Sequence, residues 1–278
     1  MFTKTPLSEL VFKKLTQHIH EHMGIMLTDK KRSMLESRMG RRLHNLQLKD
    51  LNTYGNGVLN RSLPASEMSL FYDLVTTNKT DFYREPVHFD FLIKDVVSKY
   101  VRSSQASKRF KIWSAGCSEG MEAYTIGMLL SDVCKKHPHF DYRILGTDIC
   151  NAALKRSRNA IYNKREIEPI PEKTRQKYLL RGKDKNEGIY KIDPAITRRC
   201  SFQTLNFMEA PYPIKSKFHV IFHRNVLIYF DKPTQEHVVR NLVDHLLPDG
   251  ILFIGHAESI SGFNLPLKAL GPTTFQKI

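Results

Sequence analysis

The stretch Trp113-Ser114-Ala115-Gly116-Cys117-Ser118-Glu119-Gly120-Met121-Glu122-Ala123-Tyr124-Thr125 decides the fold, because it reads as a strand running into a glycine-bearing turn and then a helix. Upstream, Phe110, Ile112 and Trp113 make the apolar, β-prone run of a buried strand. Downstream, Tyr124, Ile126, Met128, Leu129, Leu130 and Val133 recur at helical spacing. Gly116 and Gly120 let the backbone between them pass close to a ligand. In an open α/β sheet, a nucleotide-like cofactor lies at this point, at the carboxyl end of the first strand and beside a helix N-terminus. Neither G-x-x-x-x-G-K-[ST] nor G-x-G-x-x-G occurs, which disfavours a P-loop enzyme and a dinucleotide-dependent dehydrogenase. The glycine spacing suits an adenosine ligand that asks less of phosphate contacts.

From Phe110 onward strands and helices alternate, as a parallel, right-handed crossover fold requires. Tyr142 to Gly146 reads as a second strand ending at Asp148. That acid is placed either to accept hydrogen bonds from two ribose hydroxyls or to cap the helix that begins near Asn151. Phe202 to Leu205 suits a third strand with Asn206 at its tip, and Phe218 to His223 a fourth ending in Arg224-Asn225. Gly250 to Gly255 suits a fifth, after a helix closed by Pro248-Asp249-Gly250. Segments around Leu267-Lys268-Ala269 and Thr274-Phe275-Gln276 flank Gly271-Pro272 and read as a hairpin. Between the second and third strands, residues 165–198 are in excess of a simple connection. They hold a helix from Glu172 to Leu180 and a strand pair around Gly188 to Ile192, expected to form a subdomain at the sheet edge.

Residues 7–75 read as helical throughout. Leu7, Leu10, Val11, Leu15, Ile19 and Met23 mark the inner face of a first helix, with Ser8 as cap and Gly24 as stop. A second helix follows Thr28-Asp29 and turns Met34, Leu35, Met39 and Leu43 inward. Its other face carries Arg38, Arg41 and Arg42, with Lys30, Lys31 and Arg32 ahead of them. Such a strip is either a solvated surface or a docking face for carboxylates or phosphates. His18 and His22 are one helical turn apart, but no third ligand accompanies them and no metal is expected. The polar segment Thr77-Asn78-Lys79-Thr80-Asp81-Phe82-Tyr83-Arg84-Glu85 joins these helices to the α/β part. It either caps helices or folds back over the cofactor turn.

The formal charge of +15 on 278 residues calls for an acidic partner: nucleic acid, an anionic membrane surface, or a protein rich in Glu and Asp. Cys117, Cys134, Cys150 and Cys200 are scattered without a C-x-x-C pair, and Met1-Phe2-Thr3-Lys4 opens no secretory leader, so four free thiols in a reducing cytoplasm are expected. No apolar run approaches the ~20 residues of a membrane span, so no membrane insertion is expected.

Three ordered segments carry a resemblance. Gly116-Cys117-Ser118-Glu119-Gly120-Met121-Glu122-Ala123-Tyr124-Thr125 is similar to the G-C-S-T-G-E-E-P-Y-S turn of CheR-type chemoreceptor glutamate methyltransferases. Thr77 to Glu85 resembles their T-N-x-T-x-F-F-R-E segment, and His223-Arg224-Asn225-Val226-Leu227-Ile228-Tyr229-Phe230-Asp231-Lys232 their C-R-N-V-[ML]-I-Y-F-D-K run. Gly255-His256-Ala257-Glu258-Ser259 stands where the family has G-H-S-E. The resemblance implies a Rossmann-like class I methyltransferase fold dependent on S-adenosylmethionine (SAM). An N-terminal helical domain would cover residues 1–75, a linker 76–100 would contribute to the cofactor site, and the SAM-binding domain would run over 101–278. The implied activity is methyl-esterification of receptor glutamates in chemosensory adaptation, leaving S-adenosylhomocysteine.

Carried over by position, the resemblance has Asn78, Thr80 and Arg84 contact the cofactor from the linker, with Gly116 and Glu122 in the hub turn and Asp148 on the ribose. Asn206 and Phe207 would border the adenine, and Arg224 and Asn225 would close the pocket. Arg84 and Tyr229 would stand nearest the transferred methyl. The helix bearing Arg38, Arg41 and Arg42 would track the Glu-rich receptor helices. The inserted subdomain would take up a receptor's C-terminal tail, although Arg181-Gly182-Lys183-Asp184 keeps only the first glycine of the family's R-G-x-G. A glutamate has a reference pKa near ~4.3, so at neutral pH it is already ionised and needs alignment rather than a general base.

Met121 for Glu, Glu119 for Thr, Ala123 for Pro, Cys150 for Asp and Ala257 for Ser depart from the family pattern. They leave room for a noncatalytic SAM-binding signalling module. A nucleic-acid methyltransferase acting on amino groups would instead show N-P-P-[YF] after the fourth strand, where this chain has Arg224-Asn225-Val226-Leu227, so no nucleic-acid partner is expected. The chain is expected to be a monomer.

Overall fold

A computed structural model of the chain describes residues 6–103 and 109–278. The reading of Met1-Phe2-Thr3-Lys4 falls outside them. The first part is four helices: α1 (Glu9–Met23), α2 (Arg32–Leu46), α3 (Leu51–Leu59) and α4 (Ala65–Val75). Ser8 caps α1 by accepting from the Val11 N–H at 3.3 Å, and Gly24 closes it. The buried stripe runs through Leu7, Val11, Leu15, Ile19 and Met23, with Phe12 beside it. Leu10 does not join them and is 64% exposed, because at 3.6 residues per turn it falls on the far side of that stripe. In α2, Leu35, Met39 and Leu43 are buried while Met34 is only half-buried.

After the linker, α5 (Pro86–Phe91) continues through a π-helical stretch, Leu92–Val97, into α6 (Ser98–Val101). The α/β unit then runs β1 (Phe110–Ala115), α7 (Met121–Lys136), β2 (Tyr142–Asp148) and α8 (Asn151–Asn159). The insertion follows with β3 (Ile161–Asn163), α9 (Glu172–Tyr178), β4 (Leu179–Arg181) and β5 (Ile189–Ile192). The chain closes with α10 (Pro194–Thr197), β6 (Cys200–Thr204), β7 (Phe218–His223), α11 (Lys232–Asp244), β8 (Leu246–Ile254), β9 (Leu267–Gly271) and β10 (Thr274–Lys277).

The main sheet has the order β6-β2-β1-β7-β8-β10-β9. β1 lies between β2 and β7, parallel to both, with Ile112 level with Ile144 and Val220. The expected terminal hairpin is present, with β10 antiparallel to β8 and β9. Chain order reverses at β1, so the carboxyl ends of β1 and β7 open a crevice. Alternation along β1 serves two cores. Ile112 packs with Ala123, Ile126 and Leu130 of α7, whereas Trp113 faces the cluster that contains Val239 and Leu242 of α11. That second cluster continues into Leu15, Ile19, Met39 and Phe71, so the helical part shares a core with one face of the sheet.

Two local readings are corrected. The fifth strand begins at Leu246 rather than Gly250, and Pro248-Asp249-Gly250 is an irregularity within it instead of a helix stop. Phe218 pairs with Leu246 and Val220 with Ile251, so one partner loops out between them, with Asp249 at φ 61°. The insertion is a three-stranded sheet of order β3-β5-β4 that begins at Ile161, before the expected residue 165. Three-residue strands carry too little periodic signal to be read from sequence.

Candidate active site

The strand-turn-helix at the hub forms because Gly116 and Gly120 both adopt positive φ, 87° and 86°. A Cβ at Gly116 would lie 2.5 Å from Val226 Cγ2, so any side chain there would collide with the loop after β7. The turn, the end of β2, the loop after β7 and the linker enclose a cavity of about 280 Å³. Asn78, Thr80, Arg84, Gly116, Glu122, Asp148, Asn206, Phe207, Arg224, Asn225 and Tyr229 all line it. Arg84 and Tyr229, nearly 150 positions apart in sequence, thus face one space. The linker folds back over the hub: the Ser118 hydroxyl donates to the Asn78 carbonyl at 2.9 Å, and the Tyr83 N–H donates to Thr125 Oγ1 at 3.2 Å.

These residues divide by what their polar atoms already do. Glu122 accepts from the Ser114 hydroxyl at 2.6 Å and from Arg224 Nε at 2.7 Å. Arg224 is buried, also reaches Glu85 and His88, and lies over the rings of Phe89 and Phe222. Glu122 and Arg224, expected to meet the cofactor individually, therefore form one internal ion pair in the cavity wall. Asn206 donates to the His22 carbonyl at 2.7 Å and to Glu209, while its own carbonyl takes the Met208 N–H. Asn225, at φ 59°, donates to Glu85 at 3.2 Å. Asn78 donates to Thr76 and towards Cys150 Sγ. Thr80, the Arg84 guanidinium beyond one bond to the Lys79 carbonyl at 3.2 Å, and the Tyr229 hydroxyl have no other hydrogen bond among the described residues. They are the groups free to act on whatever enters.

Asp148 is buried at the end of β2 and accepts from the N–H groups of Ser118 at 2.8 Å and Cys150 at 2.9 Å. Burial pushes its carboxyl up, against the pull of those two donors. Of the two sequence readings, the helix cap is not realised, because the first N–H groups of α8, on Asn151 and Ala152, go to Asp73, whereas the Asp148 carboxylate borders the cavity. Each oxygen retains a free lone pair for a hydroxyl donor. A glycine-walled cleft beside a buried acceptor at this point of the sheet fits an adenosine ligand.

Several participants were missed. Lys31 lines the cavity and sets its ammonium 5.1 Å from the centre of the Tyr229 ring. Glu85, at φ 54°, gathers Arg224, Asn225 and the His256 N–H around its carboxylate. Burial works against that charge, but the Asn225 amide and Arg224 hold its pKa below the usual range. The ligand atoms of Glu85, His88 and His256 lie within 4.8 Å of one another, yet the Arg224 guanidinium already stands 3.1 Å from His88, where a metal cation would be repelled. Burial first, and Arg224 second, lower the His88 pKa to about 4. The sequence signal for Glu85 was its place directly after Arg84 in the linker motif.

The basic face of α2 is redistributed. Arg38 donates to the carbonyls of Leu74 and Thr76, both at 2.6 Å, and so holds the end of α4 and the start of the linker. Arg42 makes a two-pronged pair with buried Glu67, at 2.8 and 2.7 Å, which Tyr54 completes. Arg41 alone of the three stays exposed. Arg38 and Arg42 are inward-facing because buried carbonyls and a buried carboxylate need donors.

Residues 78–275 match the description "CheR methyltransferase, SAM binding domain", and residues 11–76 match "CheR methyltransferase, all-alpha domain". The chain belongs to the CheR methyltransferase family. A "Chemotaxis protein methyltransferase" of Escherichia coli is 33% identical over 99% of this chain and 93% of its own length. One from Borreliella burgdorferi is 34% identical over 99% and 95%, and "Chemotaxis protein methyltransferase 2" of Pseudomonas aeruginosa is 32% identical over 95% and 91%. This CheR-family chain is accordingly a SAM-dependent methyltransferase with an all-helical N-terminal domain. Among its described residues no helix is long and apolar enough to cross a membrane. The family's departures at Met121 and Cys150 are buried side chains, Met121 packing with Phe82 and Tyr124, so neither removes a polar group from the free surface of the cavity.

Proposed function

We propose that this chain transfers the methyl group of SAM to glutamate side chains of chemoreceptors, the modification that adapts a chemosensory array. One observation carries the reading: Arg84 and Tyr229 line the same cavity, the Tyr229 hydroxyl unbonded and the Arg84 guanidinium held only by the Lys79 carbonyl, while Glu122 and Arg224 beside them are paired with each other. Bound SAM supplies an electrophilic sulfonium methyl. The chain's residues then have three tasks. Asp148, with the Gly116 turn, holds the ribose end, and Asn206 and Phe207 border the base. Arg84 steers the incoming carboxylate, and the Tyr229 hydroxyl holds one of its oxygens so that the other attacks in line. No general base is needed, since the glutamate is ionised at neutral pH.

The formal charge of +15 supports an acidic protein partner. We place the Glu-rich receptor helices against the side of α2 that bears Arg41, with Lys30 and Lys31 ahead of it. The exposed edge of β4, where Leu180 is 51% exposed, is a candidate seat for a receptor's C-terminal tail added as a strand. Cytoplasmic, monomeric action at an array belongs to the same proposal.

The test is transfer of labelled methyl from SAM to a receptor cytoplasmic fragment, run beside RNA and DNA. Label on the receptor that base releases as methanol is the expected result. Base-stable label on nucleic acid would replace the reading with a nucleic-acid methyltransferase, and SAM binding without any transfer would replace it with a sensor module. Titrating a tail peptide tests β4 separately, and absence of binding at high micromolar peptide removes that part.

A further inference from the structure

The loop that presents Tyr229 does little to fix its own shape. It leaves β7 at Arg224, passes Asn225 in a left-handed conformation, and makes one 3₁₀ turn, Leu227–Tyr229. Within the turn, Tyr229 N–H bonds the Val226 carbonyl at 3.1 Å and Phe230 N–H bonds the Leu227 carbonyl at 3.0 Å. On one side the helical domain supports it, through a bond from the Met26 N–H to the Tyr229 carbonyl at 2.8 Å.

On the other side stands Glu258, 7% exposed and outside the cavity lining. One carboxylate oxygen accepts from Gly255 N–H at 2.6 Å and from Asn225 N–H at 3.0 Å, and the other accepts from Ile228 N–H at 3.4 Å. It makes no ion pair among the described residues; backbone dipoles alone compensate it. A carboxylate buried this way is costly unless every donor stays aimed at it, so the geometry works in both directions: the loop satisfies the acid, and the acid dictates the loop. The approach is close enough that a Cβ at Gly255 would lie 2.8 Å from Asn225 N and 2.9 Å from Glu258 Oε2. The acid closes the Gly255-His256-Ala257-Glu258 segment, which has no role in the cavity itself.

We propose that Glu258 is a positioning residue for methyl transfer: by gathering the N–H groups of Gly255, Asn225 and Ile228 it fixes the loop that carries Tyr229 to the reacting atoms. The assignment rests on the reading that Tyr229 holds the accepting carboxylate. Glutamine loses the charge and can accept on one side only, since its NH₂ would face either the Ile228 N–H or the Gly255 and Asn225 N–H groups. Aspartate keeps the charge but falls short of the loop.

The experiment uses the full chain with Glu258→Gln and Glu258→Asp, each alone and in a Tyr229→Phe background. Methyl transfer to the receptor fragment is read beside SAM affinity. The expected result is kcat lower by about 10- to 100-fold, with Kd for SAM within about two-fold of wild type. The same substitutions in the Tyr229→Phe background should lower kcat no further. Unchanged kcat in either single variant, or an undiminished loss on top of Tyr229→Phe, overturns the proposal. If Glu258→Gln does not fold, Glu258→Asp decides in the same way, and failure of both to fold overturns it in favour of a general structural role. A fluorinated tyrosine at position 229 gives a readout that needs no methyl acceptor. Its fluorine resonance should shift or broaden in Glu258→Asp and stay unchanged in Arg41→Ala, whereas an unmoved resonance in Glu258→Asp refutes the positioning even where receptor methylation itself fails.

Discussion

Arg84 and Arg224 line one cavity and are opposites in every physical respect. Arg224 is buried, paired with Glu122 and Glu85, bonded to His88, and stacked over two phenylalanines. Arg84 is on the linker, half-exposed, with one bond to a backbone carbonyl. The same side chain thus does two jobs. An arginine whose Nε and Nη1 are both tied to acids shapes a wall, and one held by a single backbone carbonyl keeps donors for a carboxylate that arrives from outside. The difference lies in which carboxylates the fold delivers: Glu85 and Glu122 converge on Arg224, and none of the described acids reaches Arg84.

The sharpest way to break the contrast is Arg224→Ala. It leaves Glu122 and Glu85, whose side chains are 11% and 12% exposed, as mostly desolvated charges without that cation, and unfolding stability should fall by about 3 kcal/mol. Denaturant unfolding measures this, and a loss below about 1 kcal/mol would show that the pair is not structural.

The second test concerns the strand that delivers Arg224. His223 precedes it, fully buried, donating from Nδ1 to the Ala115 carbonyl at 2.9 Å. Burial lowers its pKa to about 4, while an exposed histidine in the unfolded chain titrates near ~6.5. Between those values the unfolded state holds a proton that the folded state refuses. The contribution is therefore intact above pH ~6.5 and is lost as pH falls towards 4, by roughly 3 kcal/mol in all. His223→Cys removes the titration. Its stability relative to the parent chain should improve by roughly 2 to 3 kcal/mol between pH 8 and pH 4.5, and a gap that stays constant with pH would refute the assignment.

Arg84→Ala should behave in the reverse manner to Arg224→Ala. Stability is expected to stay within about 0.5 kcal/mol, since no buried partner is orphaned. Methyl transfer should fall roughly 100-fold, the usual scale for one donor aimed at a reacting carboxylate. Equal activity in Arg84→Ala and the parent would remove Arg84 from the chemistry.

The contrast also marks where the sequence stops being readable. The hub was legible because its parts are local: an apolar, β-prone run in β1, which is buried almost throughout, helical spacing in α7 and two glycines between them. Most strands from β2 to β10 followed for the same reason, with errors where a strand was three residues long, where β6 began at Cys200 rather than Phe202, and, as at Asp249, where a strand broke its own period. The members of the cavity wall came from three short motifs, yet their pairing did not. Glu122 and Arg224 are 102 positions apart, and only the crossover from β1 to β7 makes them neighbours. A motif names the charged residue; tertiary contact decides whether its charge faces inward or towards a substrate.

The helical domain repeats the comparison on a smaller scale, with Arg42 and Arg41 adjacent on α2. Arg42 clamps Glu67, whose side chain is 3% exposed, so Arg42→Ala should cost about 2 kcal/mol of stability; this is less than for Arg224, because Arg42 sits at the rim and water can replace part of its bond. Arg41→Ala orphans nothing and should leave stability within about 0.5 kcal/mol. Its effect belongs to encounter with an acidic receptor helix: KM for the receptor should rise about two- to five-fold at low salt, kcat should hold, and the difference should shrink as ionic strength screens the surface charge. A KM that is unmoved by Arg41→Ala at any salt would mean that the exposed arginine of α2 is a solvated charge and that the receptor approaches from another side.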